Sequence, residues 1–362
     1  MKHRLKLFLR ELYARVLFHT GLHALVDRLM PRRLTILAGH CVGDAPGGNG
    51  ENGADGAQLP PDMTISSQRL ETILGWFARR YEMCTIAEGL REIDGGARGR
   101  SLVALSMDDG YRDNHDRLLG LLGRTGARAT VFLESRPLDE RRVNWSHKYF
   151  WLLARMSPWD FVHRYGELCG GSAHFHAMNQ VVTEGRLEPR YHLKRILKYE
   201  AEPGARDPAI DAIFAEQGGD ERALCEALYM GWDQARAMQA SGVELGGHTV
   251  SHEILSRLAP EEQVREISGG AEAMERALGQ RPVTFAYPWG RRWDFDGASR
   301  EAVRRAGFQA AVTMHAGTVG PRSERTALAR LAIDDQAELH LLVAEACGGF
   351  ELLRRIGLDL SE

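Results

Sequence analysis

The sequence of 362 residues predicts a parallel α/β fold, either an open sheet or a sheet closed into a barrel. Short apolar runs recur along the chain and alternate with stretches of helical periodicity, as in repeated βα units. Several runs end in polar residues, and parallel folds build their active sites at the carboxyl edge of the sheet. The 44% hydrophobic content is sufficient for a full core.

Eight apolar runs have the length of short buried strands. A helical pattern, SQRLETILGWFARRY, separates the first two runs and begins after Ser66 or Ser67 as an N-cap. Helical stretches separate most of the others. The predicted strands span residues 34–37, 83–86, 102–106, 129–133, 243–245, 283–287, 310–313 and 328–333.

The domain organisation follows from where these runs stop. Between about residues 136 and 240 there is no convincing strand, so we expect a mainly helical insertion within a barrel domain spanning 34–335. Residues 336–362 predict a C-terminal helix. The segment 43–62 is rich in Gly, Asn and Pro, which predicts a loop that is either a lid or disordered.

Residues 1–33 predict a basic amphipathic helix. They carry eight Lys and Arg residues against two acids, Glu11 and Asp27, and five apolar side chains fall on one helical face: Leu5, Phe8, Leu9, Leu12 and Val16. Such a helix either lies on an anionic membrane surface or packs on the domain with its basic face in water.

Location and partners are constrained by what the sequence lacks. Arg10 and Glu11 interrupt the apolar region that a signal peptide would need, and no stretch is apolar enough to span a bilayer. The five cysteines include no C-x-x-C pair, which fits a reducing compartment. We therefore expect a cytoplasmic protein, including at the inner membrane surface. The net charge of −3 gives no electrostatic argument for a nucleic-acid partner.

Two predicted strands deliver residues that suit a hydrolytic metal site, which needs two or three ligands and an open position. Asp108 and Asp109 follow the run 102–106, and His248-T-V-S-His252 follows the run 243–245. His248, His252 and Asp109 would bind the ion. Two imidazoles and a carboxylate suit zinc, and also cobalt, nickel, manganese or iron. Asp108 would then serve as general base. The alternative to a metal site is that Asp108 and Asp109 form a solvated turn and that His248 and His252 pack at the start of a helix.

These motifs resemble those of the polysaccharide deacetylases (the NodB-homology domain, carbohydrate esterase family 4). The segment SMDDG at 106–110 resembles the family motif T-F-D-D-G, and HTVSH at 248–252 resembles H-[ST]-x-x-H. The segment RPVTFAYPWG at 281–290 is similar to the third motif, which ends in Pro-Tyr-Gly. ATVFL at 129–133 and GFQAAVT at 307–313 resemble two further strands. The resemblance covers about residues 34–134 and 242–335.

The resemblance implies an α/β fold that is a distorted (β/α)-barrel, typically with seven strands. In this family the first Asp is the base and the second binds metal, which assigns Asp108 and Asp109. One divalent ion is implied, zinc before the other metals. The backbone N–H of Trp289 would stabilise the oxyanion, with Pro288 and Tyr287 beside the substrate.

The sequence departs from the family pattern in three places. Ala286 stands where the family has an Arg that contacts the base; Arg330 either replaces it or has a surface or salt-bridge role. Trp289 replaces the usual Tyr. No late acid histidine is found, because His315 and His340 lack the expected context. The segment ILAGHCV at 36–42 instead looks like the early Y-H-x-V motif of the circularly permuted branch, which assigns His40 as the general acid.

Two further features have alternative explanations. Asp113 either orients His40 or Asp108, or caps the following helix. An aromatic cluster in the insertion either forms a sugar-stacking wall over the site or is the insertion's own core. Its members are Trp145, His147, Phe150 and Trp151.

The predicted reaction is metal-dependent hydrolysis of the N-acetyl group of an amino sugar, with release of acetate. The substrate partner is an N-acetylated glycan or a lipid-linked sugar; the expected cytoplasmic location favours a lipid-linked sugar or an oligosaccharide precursor, and the basic helix would place the protein at the membrane. Two alternatives stay open. One is a deformylase of a lipid-linked amino sugar, and the other is a catalytically silent member that binds glycan.

Overall fold

The computed structural model describes residues 2–43, 59, 63–96, 99–355, 357–358 and 360. The chain divides into two compact units. The first comprises Met1–Gly47, Asp62–Ser135 and Met230–Glu362, and the second comprises Gly48–Pro61 and Arg136–Tyr229. Most of the predicted loop 43–62 lies outside the described residues, so its role stays a prediction.

The first unit is built on a parallel sheet. Its strands are buried almost throughout, as expected where both faces of a parallel sheet are covered. In chain order the strands of the unit are β1 (Leu34–Gly39), β2 (Cys41–Gly43), β3 (Thr64–Ser66), β4 (Glu82–Met83), β5 (Leu102–Met107), β6 (Ala129–Leu133), β7 (Glu244–Gly247), β8 (Thr284–Ala286), β9 (Ala310–Val312) and β10 (Leu331–Ala332).

The sheet curls into a distorted barrel of seven main strands, as predicted. The strand order is β10-β1-β5-β6-β7-β8-β9, and β4 adds to the edge of β5. Past β9, the N–H of Thr313 donates to the carbonyl of Leu328 at 2.8 Å, and the N–H of Arg330 donates to that of His315 at 2.9 Å. These bonds connect β9 to the chain that enters β10. A separate two-stranded sheet pairs β2 with β3.

Helices follow most strands of this unit and make up the second unit. The first helix after β3 begins as predicted, because the hydroxyl of Ser66 accepts from the N–H of Arg69. In chain order the helices are α1 (Lys2–Thr20), α2 (Leu22–Leu29), α3 (Ser67–Ala78), α4 (Ile86–Asp94), α5 (Leu119–Thr125), α6 (Ser135–Glu140), α7 (Trp145–Leu153), α8 (Pro158–Cys169), α9 (Ala173–Thr183), α10 (Pro189–Tyr199), α11 (Pro203–Glu216), α12 (Glu221–Leu228), α13 (Trp232–Ala240), α14 (Pro260–Leu278), α15 (Gly297–Arg305), α16 (Leu339–Ala346) and α17 (Gly349–Arg355).

Two predicted strands are wrong in part. The run 83–86 forms a strand only up to Met83, because Thr85 caps α4 in a reciprocal capping box with Glu88 and the helix begins at Ile86. The run 328–333 forms a strand only at Leu331–Ala332. Short apolar runs do not distinguish a strand from the start of a buried helix.

The helical segments at the ends of the chain are each divided in two. Gly21, at a φ of 76°, separates α1 from α2, and Gly348, at a φ of 79°, separates α16 from α17. The inner faces of these helices share one apolar cluster, which includes Ala14, Leu17, Val26, Ala344, Cys347 and Phe350. Among the described residues, no helix is long and apolar enough to cross a membrane.

The helical segment Arg136–Tyr229 belongs to a compact unit separate from the barrel, and α13 groups with the first unit. Its aromatic cluster is a core. Trp145, His147 and Trp151 are buried. The guanidinium of Arg206 lies 4.4 Å from the centre of the Trp145 ring, and that of Arg155 lies 3.8 Å from the Trp151 ring. The core explanation is therefore supported over the sugar-stacking wall.

Candidate active site

Asp108 and Asp109 lie directly after β5, at the carboxyl edge of the sheet, and both are buried. The N–H of Asp108 donates to the carbonyl of Gly39 at the end of β1, at 3.0 Å. Asp109 has a φ of 73°, so the chain turns sharply between the two residues. This turn directs the two carboxylates to different neighbours.

Asp109 faces the two histidines of the HTVSH segment. Its Oδ1 lies 3.2 Å from Nε2 of His248 and 3.2 Å from Nε2 of His252. The ligand atoms of the three residues all lie within 4.8 Å of one another, and all three residues are buried. The structure therefore brings together the three predicted ligands, although Asp109 precedes His248 by 139 positions and His252 by 143 in the sequence.

The donor set fits a divalent cation. The Nδ1 of His248 is 2.7 Å from the carbonyl of Ala286, an acceptor, so Nδ1 carries a proton and, in the neutral ring, Nε2 has the lone pair that a metal would bind. Among the described residues, no hydrogen bond of acceptable geometry satisfies the buried Oδ1 of Asp109. Two zinc ligands about 2.1 Å from an ion lie roughly 3.4 Å apart at the tetrahedral angle. The 3.2 Å separations are close to that spacing.

The backbone around these ligands is held in an unfavourable conformation. Of the six described residues other than glycine with positive φ, four belong to the motifs: Asp109 (73°), Thr249 (66°), His252 (60°) and Trp289 (64°). Thr249 is notable, because a β-branched residue rarely adopts this conformation. Such strain persists only where the surroundings enforce it, and it is concentrated at functional sites.

A carboxylate that the sequence did not single out enforces the strained loop. Glu266, on α14, accepts from the N–H groups of Val250 and Ser251 at 3.1 and 2.9 Å, and from the Ser251 hydroxyl at 2.6 Å. Gly270 allows the helix to approach, since a Cβ there would lie 2.9 Å from the carbonyl oxygen of Thr249. In the sequence, neither Glu266 nor Gly270 differs from an ordinary residue of a helix, so the pattern did not predict that they hold this loop.

Arg330 forms an ion pair with Asp108. Two of its nitrogens donate to the two carboxylate oxygens at 2.7 Å each, and the pair is buried. Burial opposes ionisation of Asp108, but the charge and hydrogen bonds of Arg330 lower the pKa of that carboxyl below its usual value. Of the two explanations for Arg330, the structure supports the one that places it at Asp108. Ala286 is buried in the barrel interior.

His40 lies between β1 and β2, beside the aspartates. The register of β1 and β5 pairs Gly39 with Met107, which puts His40 next to Asp108. His40 is half-buried, and its charge is among those that lower the pKa of Asp108. The side-chain amide of Asn114 donates to the His40 carbonyl at 2.9 Å and fixes the backbone there.

Asp113 supports the segment that carries His40 and does not cap the following helix. Its carboxylate accepts from the backbone N–H of Val42 and from the Asn114 amide, the latter at 2.7 Å, and it contacts the thiol of Cys41. Burial raises the pKa of Asp113 to about 6 against these donors. A π-helical turn at Asn114–Leu118 follows, a feature often found near functional sites.

The third motif places Trp289 at the site. Its half-buried ring packs edge-on against His252, with ring centroids 5.2 Å apart. Pro288 is buried beside it. The N–H of Met314 donates to the carbonyl of Gly290 at 2.9 Å, which holds the turn against the end of β9.

Tyr287 does not line the site, contrary to the sequence prediction. Its side chain is 1% exposed, and its hydroxyl donates to the carbonyl of Thr326 at 3.0 Å. Its ring stacks on Phe295 with centroids 4.1 Å apart. Strand alternation turns this side chain into the layer between the sheet and α15. The side chains of the two late histidines have other neighbours: His340 contacts Glu11 at 2.7 Å, and the His315 ring lies near that of Phe295, with centroids 6.2 Å apart.

The sequence matches a known protein family over the two later motifs. Residues 197–311 match the family model described as polysaccharide deacetylase, and this range includes His248, His252 and Trp289. The match covers about a third of the chain. Asp108 and Asp109 lie outside the matched range, and the structure joins them to it. No curated protein matches the chain in sequence.

Solved structures share the fold of this chain. A Streptococcus pyogenes deacetylase, PplD, in complex with acetate superposes with a TM-score of 0.56 at 15% identity, over 88% of this chain and 99% of that one. A de-N-acetylase from Aggregatibacter actinomycetemcomitans superposes with a TM-score of 0.52 at 17% identity, over 84% of this chain and 97% of that one. IcaB from Ammonifex degensii superposes with a TM-score of 0.52 at 15% identity, over 88% of this chain and 98% of that one. At these identities the likeness concerns the fold.

Proposed function

We propose that the protein hydrolyses the N-acetyl group of an amino sugar in a glycan or lipid-linked precursor, with one divalent ion held by Asp109, His248 and His252. The observation that carries the proposal is the convergence of these three residues with the Asp108–Arg330 pair and His40 at one edge of the barrel. Zinc is the metal we expect first, since two imidazoles and one carboxylate suit it.

A bound divalent ion would polarise the amide carbonyl and lower the pKa of a water molecule. Asp108 accepts a proton from the water that attacks the amide carbon. Arg330 keeps Asp108 ionised and fixes both of its oxygens. The backbone N–H of Trp289 donates to the oxyanion as negative charge develops on the carbonyl oxygen.

His40 donates a proton to the amine as the C–N bond breaks. Its position after β1 places it beside Asp108, so the acid and the base lie close together. An early acid histidine is also what the circularly permuted branch of the family would have, and we propose that the chain belongs to that branch. The products are acetate and a free amino sugar.

The direct test measures acetate release from a panel of N-acetylated sugars, both polymeric and lipid-linked, by the metal-loaded protein. The matched control is Asp108→Asn, which keeps the size of the side chain and removes its basicity. Release by the wild type alone supports the proposal and assigns the base. If neither protein releases acetate with metal bound and the fold intact, acetyl hydrolysis is excluded. Formate release from N-formylated sugars would then favour the deformylase.

A silent glycan-binding role is the remaining alternative. A protein that only binds glycan needs neither a general base nor a general acid nor metal ligands. This chain has candidates for all three roles: Asp108 as base, His40 as acid, and Asp109, His248 and His252 as ligands. Binding of the same glycans without release of either acid would favour it.

A further inference from the structure

The two N-terminal helices carry an exposed apolar surface. Of the sixteen large hydrophobic side chains that are exposed among the described residues, nine lie within residues 5–29. Exposed apolar residues are normally scattered singly over a soluble protein, and a contiguous cluster marks an interaction site. We call this cluster the N-terminal stripe. Its members on α1 are Leu5, Phe8, Leu9, Leu12 and Val16, and its members on α2 are Leu22, Leu25 and Leu29.

The stripe is exposed although both helices are firmly anchored. On α1, Ala14 and Leu17 are buried in the cluster shared with α16 and α17. The hydroxyl of Tyr13 donates to the carbonyl of Gly349 at 3.1 Å. At 3.6 residues per turn, Leu5, Leu12 and Val16 lie on a different side of the helix from these contacts, and Leu9 lies at the border. The helix therefore binds the domain with one face and presents its apolar stripe to the outside.

The helix α2 repeats this arrangement. Val26 and Met30 are buried in the same cluster, while Leu22, Leu25 and Leu29, spaced three and four residues apart, are exposed; Leu29 is 73% exposed. Two successive helices thus each direct their packing face inward and a row of leucines outward.

The charges around the stripe are predominantly positive. Arg4 and Arg28 are exposed, and Lys6 is half-buried. The two acids in the segment are engaged by the protein itself. Glu11 contacts Arg15 and His340, each at 2.7 Å, and Asp27 accepts from the hydroxyl of Ser101 at 2.7 Å.

We propose that the N-terminal stripe docks on an anionic lipid bilayer, with α1 lying in the plane of the interface. An apolar helix face flanked by cations is the surface that such membranes bind: the leucines enter the acyl boundary while the cations meet lipid phosphates. A second copy of the chain is the less suitable occupant, because two copies of this surface would bring cations against cations. The inference concerns location and holds whichever reaction the barrel catalyses.

Vesicle co-sedimentation of the full chain tests the proposal. The probes are vesicles of phosphatidylcholine alone and of an equimolar mixture with phosphatidylglycerol. We expect the wild type to bind the anionic vesicles at least about tenfold more strongly, because each interfacial cation contributes about 1 kcal/mol. The triple variant Leu5→Gln, Phe8→Gln, Leu12→Gln should lose at least about tenfold in partitioning. The variant Arg4→Glu, Lys6→Glu should lose the preference for anionic lipid.

The matched control replaces equally exposed residues elsewhere: Leu168→Gln, Leu187→Gln and Val264→Gln. It should bind as the wild type does. Circular dichroism checks that the helices are retained, and hydrolysis of a water-soluble substrate, if present, should be unchanged by the stripe variants, which separates this test from that of the reaction. A wild type that stays in the supernatant with anionic vesicles overturns the proposal. So does a stripe-dependent dimer in sedimentation equilibrium without vesicle binding.

Discussion

Arg330 and Asp108 form a two-point ion pair inside the barrel, with Nη1 to Oδ1 and Nη2 to Oδ2 both at 2.7 Å. The remaining Arg330 donors are also engaged: Nε donates to the carbonyl of Thr313 at 2.8 Å, and Nη1 lies 3.2 Å from the hydroxyl of Ser106. The guanidinium is therefore fixed from three sides, and it fixes the carboxylate in turn. A planar fork matched to a carboxylate cannot be reproduced by a lysine ammonium.

We predict that Arg330→Lys lowers kcat by about 10²-fold, because a base misplaced by about 1 Å loses that much. KM should change little, since Arg330 contacts protein groups. The acid limb of the pH profile should move to higher pH, because Arg330 lowers the pKa of Asp108 and a weaker partner lets that pKa rise.

The pH profile of kcat, measured for both proteins, checks this prediction. Arg325→Lys, which alters an arginine paired with Asp94 outside the barrel interior, is the matched control and should behave as the wild type. An unchanged profile for Arg330→Lys would contradict a positioning role.

The same pair makes a prediction about stability. Removing one partner of a buried ion pair leaves an uncompensated charge and costs about 3–5 kcal/mol. We expect Arg330→Met to lose that much free energy of unfolding at neutral pH. The double variant Asp108→Asn, Arg330→Met should recover part of the loss, because the stranded charge is gone. Urea unfolding of the two single variants and the double variant measures the coupling. A double variant as unstable as the sum of the singles would refute it.

The ligand triad could be predicted from sequence because each residue follows an apolar run at a strand end. The role of Arg330 at Asp108 was only one of two explanations for this residue in the sequence. Arg330 is 222 positions from Asp108, and its environment depends on how the barrel closes. Glu266 gave no signal, because a helical glutamate has the same pattern whether it binds solvent or a loop. Tyr287 was misplaced for a related reason: a motif gives the order of residues but not the face to which a strand directs each side chain.

Removal and addition of metal give the next prediction. A ligand that binds only the folded state stabilises it by about 2.7 kcal/mol at a hundredfold excess over Kd. Zn²⁺ should therefore raise the Tm of the apo-protein, and a chelator should reverse the rise. His252→Asn should remove the effect, whereas His192→Asn, at an exposed position in the second unit, should keep it. Thermal unfolding and titration calorimetry measure both, and a full zinc response in His252→Asn would exclude this site.

The role of His40 can be separated from that of the metal ligands by the leaving group. If His40 protonates the amine, His40→Gln should lower kcat on an N-acetyl sugar by roughly 10²–10⁴-fold. It should scarcely affect an aryl acetate, because a phenolate leaves without a proton. His192→Gln, at an exposed histidine of the second unit, is the control for both substrates. Equal losses on the amide and the ester would assign His40 to structure or binding instead.

Protonation of Asp113, which supports the segment that carries His40, makes the stability of the protein depend on pH. Burial raises the pKa of Asp113 to about 6 in the folded protein, above the value of about 3.9 for an unfolded chain. The folded state therefore holds this proton more tightly. The stabilising contribution is fully present below the unfolded pKa and is lost as the pH rises through about 6. A difference of about two units corresponds to roughly 3 kcal/mol.

We therefore predict that the free energy of unfolding of the wild type, relative to Asp113→Asn, falls by about 2 kcal/mol between pH 4 and pH 7, because the unfolded chain is already partly ionised at pH 4. Asparagine keeps an oxygen that can accept from Val42 but cannot ionise, so the variant isolates the titration from the loss of the contact. Urea unfolding of both proteins across this range measures the difference. Asp116→Asn, at a surface carboxylate paired with Arg112, is the control and should not show this fall. A constant or rising difference for Asp113→Asn would mean that Asp113 is already ionised in the fold at pH 4, with the donors of Asn114 and Val42 outweighing its burial.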